Sequence, residues 1–180
     1  MSKALSRWCL PLVLAVASVS LVACSSSIAT STTEAPLPAG PVPSKISRMV
    51  CSKEAQSHIN SALGVTAKVS PPTYVDHVYS CNYVYPSGTM VLSVHELDSW
   101  NQVKASFAAL KVSMGVSQNL GNLGQDGFQA KDGTVVVRKD YKILMVNPTG
   151  LPARFGVPPT SSASVAVTVA DLILGCWAGD

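Results

Sequence analysis

Val78-Tyr79-Ser80-Cys81-Asn82-Tyr83-Val84-Tyr85, then Pro86-Ser87-Gly88, then Met90-Val91-Leu92-Ser93-Val94-His95-Glu96-Leu97, is the stretch whose reading decides the fold. Large apolar or aromatic residues recur at every second position, the period of a strand with one buried face. Tyr79, Cys81, Tyr83 and Tyr85 fall together on that face. Pro86-Ser87-Gly88 is turn chemistry, so the two runs read as a β-hairpin.

On the N-terminal side, Ser52 is placed to cap a helix that runs through Leu63 and stops at Gly64, with Ala55, Ile59, Ala62 and Leu63 on one face. An extended segment broken by Pro71-Pro72 connects it to the hairpin. On the C-terminal side, Ser99-Trp100-Asn101-Gln102 has the form of a capping box. It opens a helix with Trp100, Val103, Phe107 and Leu110 on one stripe, ended by Gly115. A glycine-punctuated stretch around Gly121, Gly124 and Gly127 reads as turns. Thr134–Arg138 and Tyr141–Asn147 then read as strands. Pro148–Pro159 reads as a loop, with Arg154 and Phe155 near its centre as an exposed recognition element. Ser162 is expected to cap a last helix that ends near Cys176. That helix is apolar nearly all round, so it should be the most buried of the three. The order predicts an α+β domain: a mainly antiparallel sheet covered by helices, with a C-terminal helix. Residues 52–97 and 99–147 resemble a weak duplication of one helix-plus-hairpin unit.

Ahead of the domain the composition changes twice. Lys3 and Arg7 precede an apolar run from Leu10 to Val22, too short for a spanning helix, that closes in Leu21-Val22-Ala23-Cys24. Small residues just before a cysteine form a bacterial lipobox. Residues 1–23 are therefore expected to be a lipoprotein signal peptide, and Cys24 the site of lipidation. An ordinary secretory signal or an uncleaved membrane helix is the alternative. Residues 24–50 are rich in Ser, Thr, Ala and Pro and read as a disordered tether. Its ends would lie roughly 25–30 Å apart, and its serines and threonines suit either an O-glycosylated stalk or a plain spacer. The globular domain is expected over 51–180. The protein is then held on the extracytoplasmic face of the cell membrane by lipid on Cys24. Two acyl chains suffice for stable anchoring.

The formal net charge is +3, and loss of Lys3 and Arg7 with the signal leaves the rest close to neutral. Nothing here provides the basic face that nucleic acid requires. Of five cysteines, Cys9 leaves with the signal and Cys24 takes lipid. Export puts Cys51, Cys81 and Cys176 in an oxidising compartment, where a structural disulfide is expected. Cys51–Cys81 is the favoured pair, pinning the first helix to a strand at a gain of about 3.5 kcal/mol. Cys176 then reads as a buried thiol. Cys51–Cys176 stays open, because connectivity does not follow from sequence.

A cysteine before the first helix, the Cys81-Asn82-Tyr83 strand, a helix opening on Trp100, and Leu123-Gly124-Gln125-Asp126-Gly127-Phe128 before a valine-rich strand pair resemble small secreted lipoproteins of actinobacteria, of the mycobacterial type. These are families of unknown function. Their glycine stretch reads Gly-Leu-Gly-Asp-Glu-Ala and an aromatic, a frame kept here with the acidic positions changed. The resemblance covers most of the region from Cys51 to Trp177. It implies a cell-envelope lipoprotein with a helix-on-sheet domain and one disulfide, and brings no catalytic residues. Cys176-Trp177 is no part of that pattern.

Enzymatic signatures do not emerge. There is no Gly-x-Ser-x-Gly elbow, His-Glu-x-x-His pair or phosphate-binding glycine loop, and no cofactor is indicated. His77 and His95 would approach at the open end of the hairpin, with Asp76 or Asp98 as a third donor; surface histidines without metal are the expected outcome. The expectation is a non-catalytic binding module for a small amphiphile, with Trp100, Phe107, Tyr83 and Phe155 as candidate ligand-binding residues. Trp100 and Phe107 would line an apolar pocket of several hundred Å³. The alternative is a structural lipoprotein that contacts another envelope protein through its loop and sheet edge.

Overall fold

The computed structural model describes residues 37–177. The expected signal peptide, the expected lipidation site Cys24 and the first part of the expected tether lie outside the described residues. Among the described residues four helices, α1 (Lys45–Met49), α2 (Lys53–Leu63), α3 (Trp100–Met114) and α4 (Ser162–Cys176), accompany ten strands. The strands are β1 (Lys68–Val69), β2 (Thr73–Val75), β3 (Val78–Tyr85), β4 (Gly88–Glu96), β5 (Val116–Asn119), β6 (Asp126–Ala130), β7 (Val135–Lys139), β8 (Lys142–Gly150), β9 (Arg154–Phe155) and β10 (Thr160–Ser161). The main sheet runs β1-β3-β4-β8-β7-β6-β5, with β2 also on β3. Every pairing is antiparallel. The class is α+β, as the hairpin and the helix order predicted.

Local chemistry explains the helices. Ser52 Oγ accepts the Ala55 N–H at 3.1 Å to open α2, and Gly64 closes it with φ +63°. A Cβ at Gly64 would meet the Val157 carbonyl oxygen at 2.7 Å, so a side chain is excluded there on two grounds. Ala62 is exposed rather than on the buried stripe. At α3, Ser99 Oγ accepts the Gln102 N–H, but the Gln102 side chain accepts from the Asp98 N–H, one residue outside the expected box. The cap of α4 is Ser161, one residue before the expected Ser162. Val165, Ala166, Val169, Ala170, Ile173 and Leu174 are buried, the largest buried set of any helix here.

The sheet is covered on both faces. Tyr79, Cys81, Tyr83 and Tyr85 of β3, Met90, Leu92 and Val94 of β4, Val135 and Val137 of β7, and Leu144 and Val146 of β8 share a core with α1, α2 and α4. The intervening positions, Val136 and Ile143 with Phe128, form a second core with Val103 and Phe107 of α3. The expected duplication is therefore one of element order only. A two-fold relating β3–β4 to β7–β8 across an antiparallel seam would put both helices on one face, whereas α2 and α3 lie on opposite faces.

Three expectations need correction. The domain begins before Cys51: α1 lies in the segment read as tether, its Ile46 and Ser47 are buried, and Val50 is wholly inaccessible. Seven residues, Ser44 to Val50, supply the cap, the helix and its buried anchor. The glycine-punctuated stretch is a shorter turn that runs into β6 at Asp126, and β5 precedes it; polar residues on that edge strand hid the alternation. The Pro148–Pro159 region is not an open loop. β8 runs to Gly150, β9 and β10 pair, and Phe155 is buried with its ring edge on Tyr85 at 4.7 Å. Arg154 does face solvent.

The sheet edges differ from its centre. β5 is exposed throughout, and its register with β6 shifts between Val116 and Gln118. On the other edge, β1 and β2 pair with successive parts of β3 and are separated by Pro71-Pro72.

Cys51 and Cys81 are joined, with Cα atoms 6.0 Å apart. Beside this bridge, the buried Tyr83 hydroxyl donates to the Val50 carbonyl at 2.8 Å. The buried Tyr85 hydroxyl has no hydrogen-bond partner among the described residues. The two tyrosines should therefore respond in opposite directions. Tyr83→Phe is expected to lower unfolding free energy by about 1–2 kcal/mol, because it leaves a buried carbonyl unpaired. Tyr85→Phe is expected to leave stability unchanged or raise it. Urea denaturation of both variants measures the contrast, and equal losses would contradict it.

Candidate functional site

The four expected ligand residues do not converge. Tyr83 and Phe155 belong to the core under α2 and α4. Phe107 belongs to the core under α3, with Trp100 packed at its margin. The sheet separates the pairs. Phe107 is 4% exposed, and its ring is occupied on every side the contacts describe: Phe128 edge-on at 5.4 Å, Lys111 Nζ at 4.9 Å and Arg138 at 5.9 Å. Trp100 meets Tyr141 edge-on at 5.4 Å and has Arg138 over its ring. Both rings are thus engaged by neighbouring side chains.

A groove of about 320 Å³ lies instead where α1, the start of α2 and the end of α4 meet. Lys45, Ile46, Arg48 and Met49 line it from α1, Ser52 and Glu54 from the α2 start, and Cys176 from α4. Ile46 is buried and Met49 half-buried, while Lys45, Arg48 and Glu54 are exposed. The groove thus has an apolar floor and a rim with two cations and one carboxylate. Ser52 is already engaged as the α2 cap. Cys176 is exposed on this rim rather than buried as expected. The apolar stripe of α4 turns toward the sheet, and its last residue falls on the other side. Sequence reasoning missed α1, although Ser44 followed by Ile46, Met49 and Val50 carries a cap and an apolar i, i+3, i+4 spacing.

Behind α1 lies a buried polar cluster. Glu96, at the end of β4, is 3% exposed. Its Oε1 accepts the Ser44 N–H at 2.9 Å and the Ser47 hydroxyl. Its Oε2 is 3.1 Å from the Tyr74 hydroxyl, which also lies 3.0 Å from the Gly40 carbonyl and 3.3 Å from His77 Nδ1. The single Tyr74 proton serves either oxygen acceptor. Lys142, also buried, stands opposite Glu96 in the β4–β8 register. Burial alone would raise the Glu96 carboxyl; the bonds from Ser44, Ser47 and Tyr74 outweigh it and hold it below the ordinary 4.5. Burial and the adjoining carboxylate push the Tyr74 phenol up to about 12. The His95 imidazole is held low, first by burial and then by the charge of His77. The two histidines do come near each other, as the hairpin reading implied. Among the described residues, no three His, Cys, Asp or Glu side chains are grouped to hold a metal ion. No described helix is long and apolar enough to cross a membrane.

Comparison with protein-family models, with curated proteins and with solved structures found no match to this chain.

The Glu96 cluster sets an acid limit on stability. A carboxyl lowered by folding contributes fully above its unfolded value of 4.5 and loses that contribution as pH falls through its lower folded value. His95, also lowered, adds a separate loss that begins below 6.5. Glu96→Gln is expected to reduce stability at neutral pH by about 2–3 kcal/mol. It should also flatten the fall in Tm between about pH 5 and pH 3, leaving the His95 limb in place. Calorimetry across that range checks it; an unchanged slope would show that the carboxylate is not the titrating group.

Proposed function

We propose that this chain is a lipid-anchored protein of the cell envelope whose domain binds a small anionic amphiphile without catalysis. The lipobox supports the location, with the membrane reached from the extracytoplasmic side through lipid on Cys24. The likeness to small actinobacterial lipoproteins supports the same location. The observation that carries the binding reading is the groove between α1, α2 and α4: about 320 Å³, floored by Ile46 and Met49 and rimmed by Lys45 and Arg48. This volume is at the low end of small-molecule sites. Two cations against the single Glu54 favour an anionic head group, and the floor accepts a short apolar tail. Among the described lining residues there is no histidine, and the one serine is committed to a helix cap.

Isothermal titration with dodecyl phosphate below its micellar concentration tests the reading. Saturable binding is expected. Lys45→Glu combined with Arg48→Glu should weaken it at least tenfold, equivalent to about 1.4 kcal/mol. Lys104→Glu on the exposed side of α3 should leave it unchanged. Absence of binding to the natural chain, or equal affinity in the double variant, would refute the groove. Native mass spectrometry of the protein extracted from its own membrane should then show a dissociable adduct beyond the covalent acyl chains. A stable complex with a second protein would favour the envelope-contact alternative.

A further inference from the structure

We infer that residues 39–50 form a strap that makes one wall of the groove and is latched from behind by the buried carboxylate of Glu96, so that strap docking and groove occupancy are a single linked equilibrium. This rests on the groove reading above and adds how the groove is regulated.

The two sides of α1 carry the argument. One side presents Lys45, Ile46, Arg48 and Met49 to the groove. The other is tied to the sheet by few and mostly polar attachments. The Ala39 N–H donates to the Leu97 carbonyl at 3.3 Å, the Tyr74 hydroxyl reaches the Gly40 carbonyl, and Ser44 and Ser47 both donate to Glu96. Apolar anchoring comes from the buried Ile46 and Val50, with Met49 packed in part against the same core. A five-residue helix does not stand alone in water, so α1 keeps its shape only while docked. Segments with few buried apolar contacts open at lower free energy than the whole domain. Charged and titratable groups facing the latch come from every neighbouring element: Tyr74 on β2, His77 before β3, and Lys142 on β8.

The disulfide sets where opening stops. Cys51 follows Val50 directly and is bonded to Cys81 in the middle of β3, while the Val50 carbonyl is held by Tyr83. Undocking therefore releases the chain up to about residue 49 and no further. Opening removes a groove wall together with both cations of its rim, so a bound anion is lost. Conversely, an anion bridging Lys45 and Arg48 to the groove holds the strap down and favours the docked state by mass action. Release adds about ten residues to the preceding segment, up to roughly 35 Å of contour.

Hydrogen exchange read by mass spectrometry on the mature chain, with the Ser47 and Arg48 amides as reporters and the β7–β8 amides as reference, tests the linkage. In the natural chain the reporters should exchange faster than the reference. Glu96→Gln should speed them at least tenfold and keep them faster than the reference, which speeds only through the loss of global stability. Ser47→Ala, which keeps the carboxylate and removes one donor, should act in the same direction where Glu96→Gln folds poorly. Dodecyl phosphate at a hundred times its Kd should slow the reporters about a hundredfold. Reporters that exchange only together with β7–β8 in both forms would show that the strap is an inseparable part of the core, and would overturn the inference. Binding of dodecyl phosphate without any slowing would overturn the linkage and leave the groove reading standing. No binding at all, seen first in the titration, would remove both.

Discussion

The pairing of β4 with β8 joins everything before residue 97 to everything after it. It runs from Thr89 opposite Gly150 to Glu96 opposite Lys142, and the core under α1, α2 and α4 is assembled across it. Leu92 and Val94 meet Val146 and Leu144 on the face under α4, while His95 and Ser93 meet Ile143 and Met145 on the face under α3. A slip of one residue would exchange these sets, exposing Leu144 and Val146 to α3 and bringing Ile143 beneath α4. Glu96 would lose Lys142 as its opposite at the same time. The register that fills the core thus also sets Lys142 against the carboxylate that seats α1.

What could be read in the sequence follows from where single-element signals are strong. The β3–β4 hairpin was legible from its alternation, and α2, α3 and α4 from serine caps followed by apolar periodicity. α1 was not, because a five-residue helix in a Ser/Pro-rich segment has too few turns to show a period. β5 and β6 escaped because Ser117, Gln118, Asn119, Gln125 and Gln129 interrupt any alternation, and Gly124 and Gly127 favoured turns. Which face each helix takes was outside the reach of one-dimensional patterning. Trp100 and Phe107 were recognisable as a stripe that packs on something; that Phe128 and Arg138 complete this packing depends on pairings between distant strands.

The candidate groove was hidden for a related reason. Its walls come from residues 45–54 and from Cys176, at the two ends of the domain, and no local spacing links them. Lys45 and Arg48 look like ordinary solvated charges in a tether until Ile46 and Val50 are seen to be buried beside them. Glu96 likewise reads as a polar residue ending a strand. Only its enclosure by Ser44, Ser47 and Tyr74 turns it into the point that holds the N-terminal segment in place.

The two margins of the sheet carry a consequence for how many copies can share one surface. An open strand edge offers a row of backbone donors and acceptors to any neighbour. Here β5 is only four residues long and loses register at Val116–Gln118, which twists the edge and interrupts the row. The opposite margin is divided at Pro71-Pro72, two residues with no backbone N–H to give. Neither side offers a continuous template for adding a strand, so molecules packed side by side at high density keep their sheets separate.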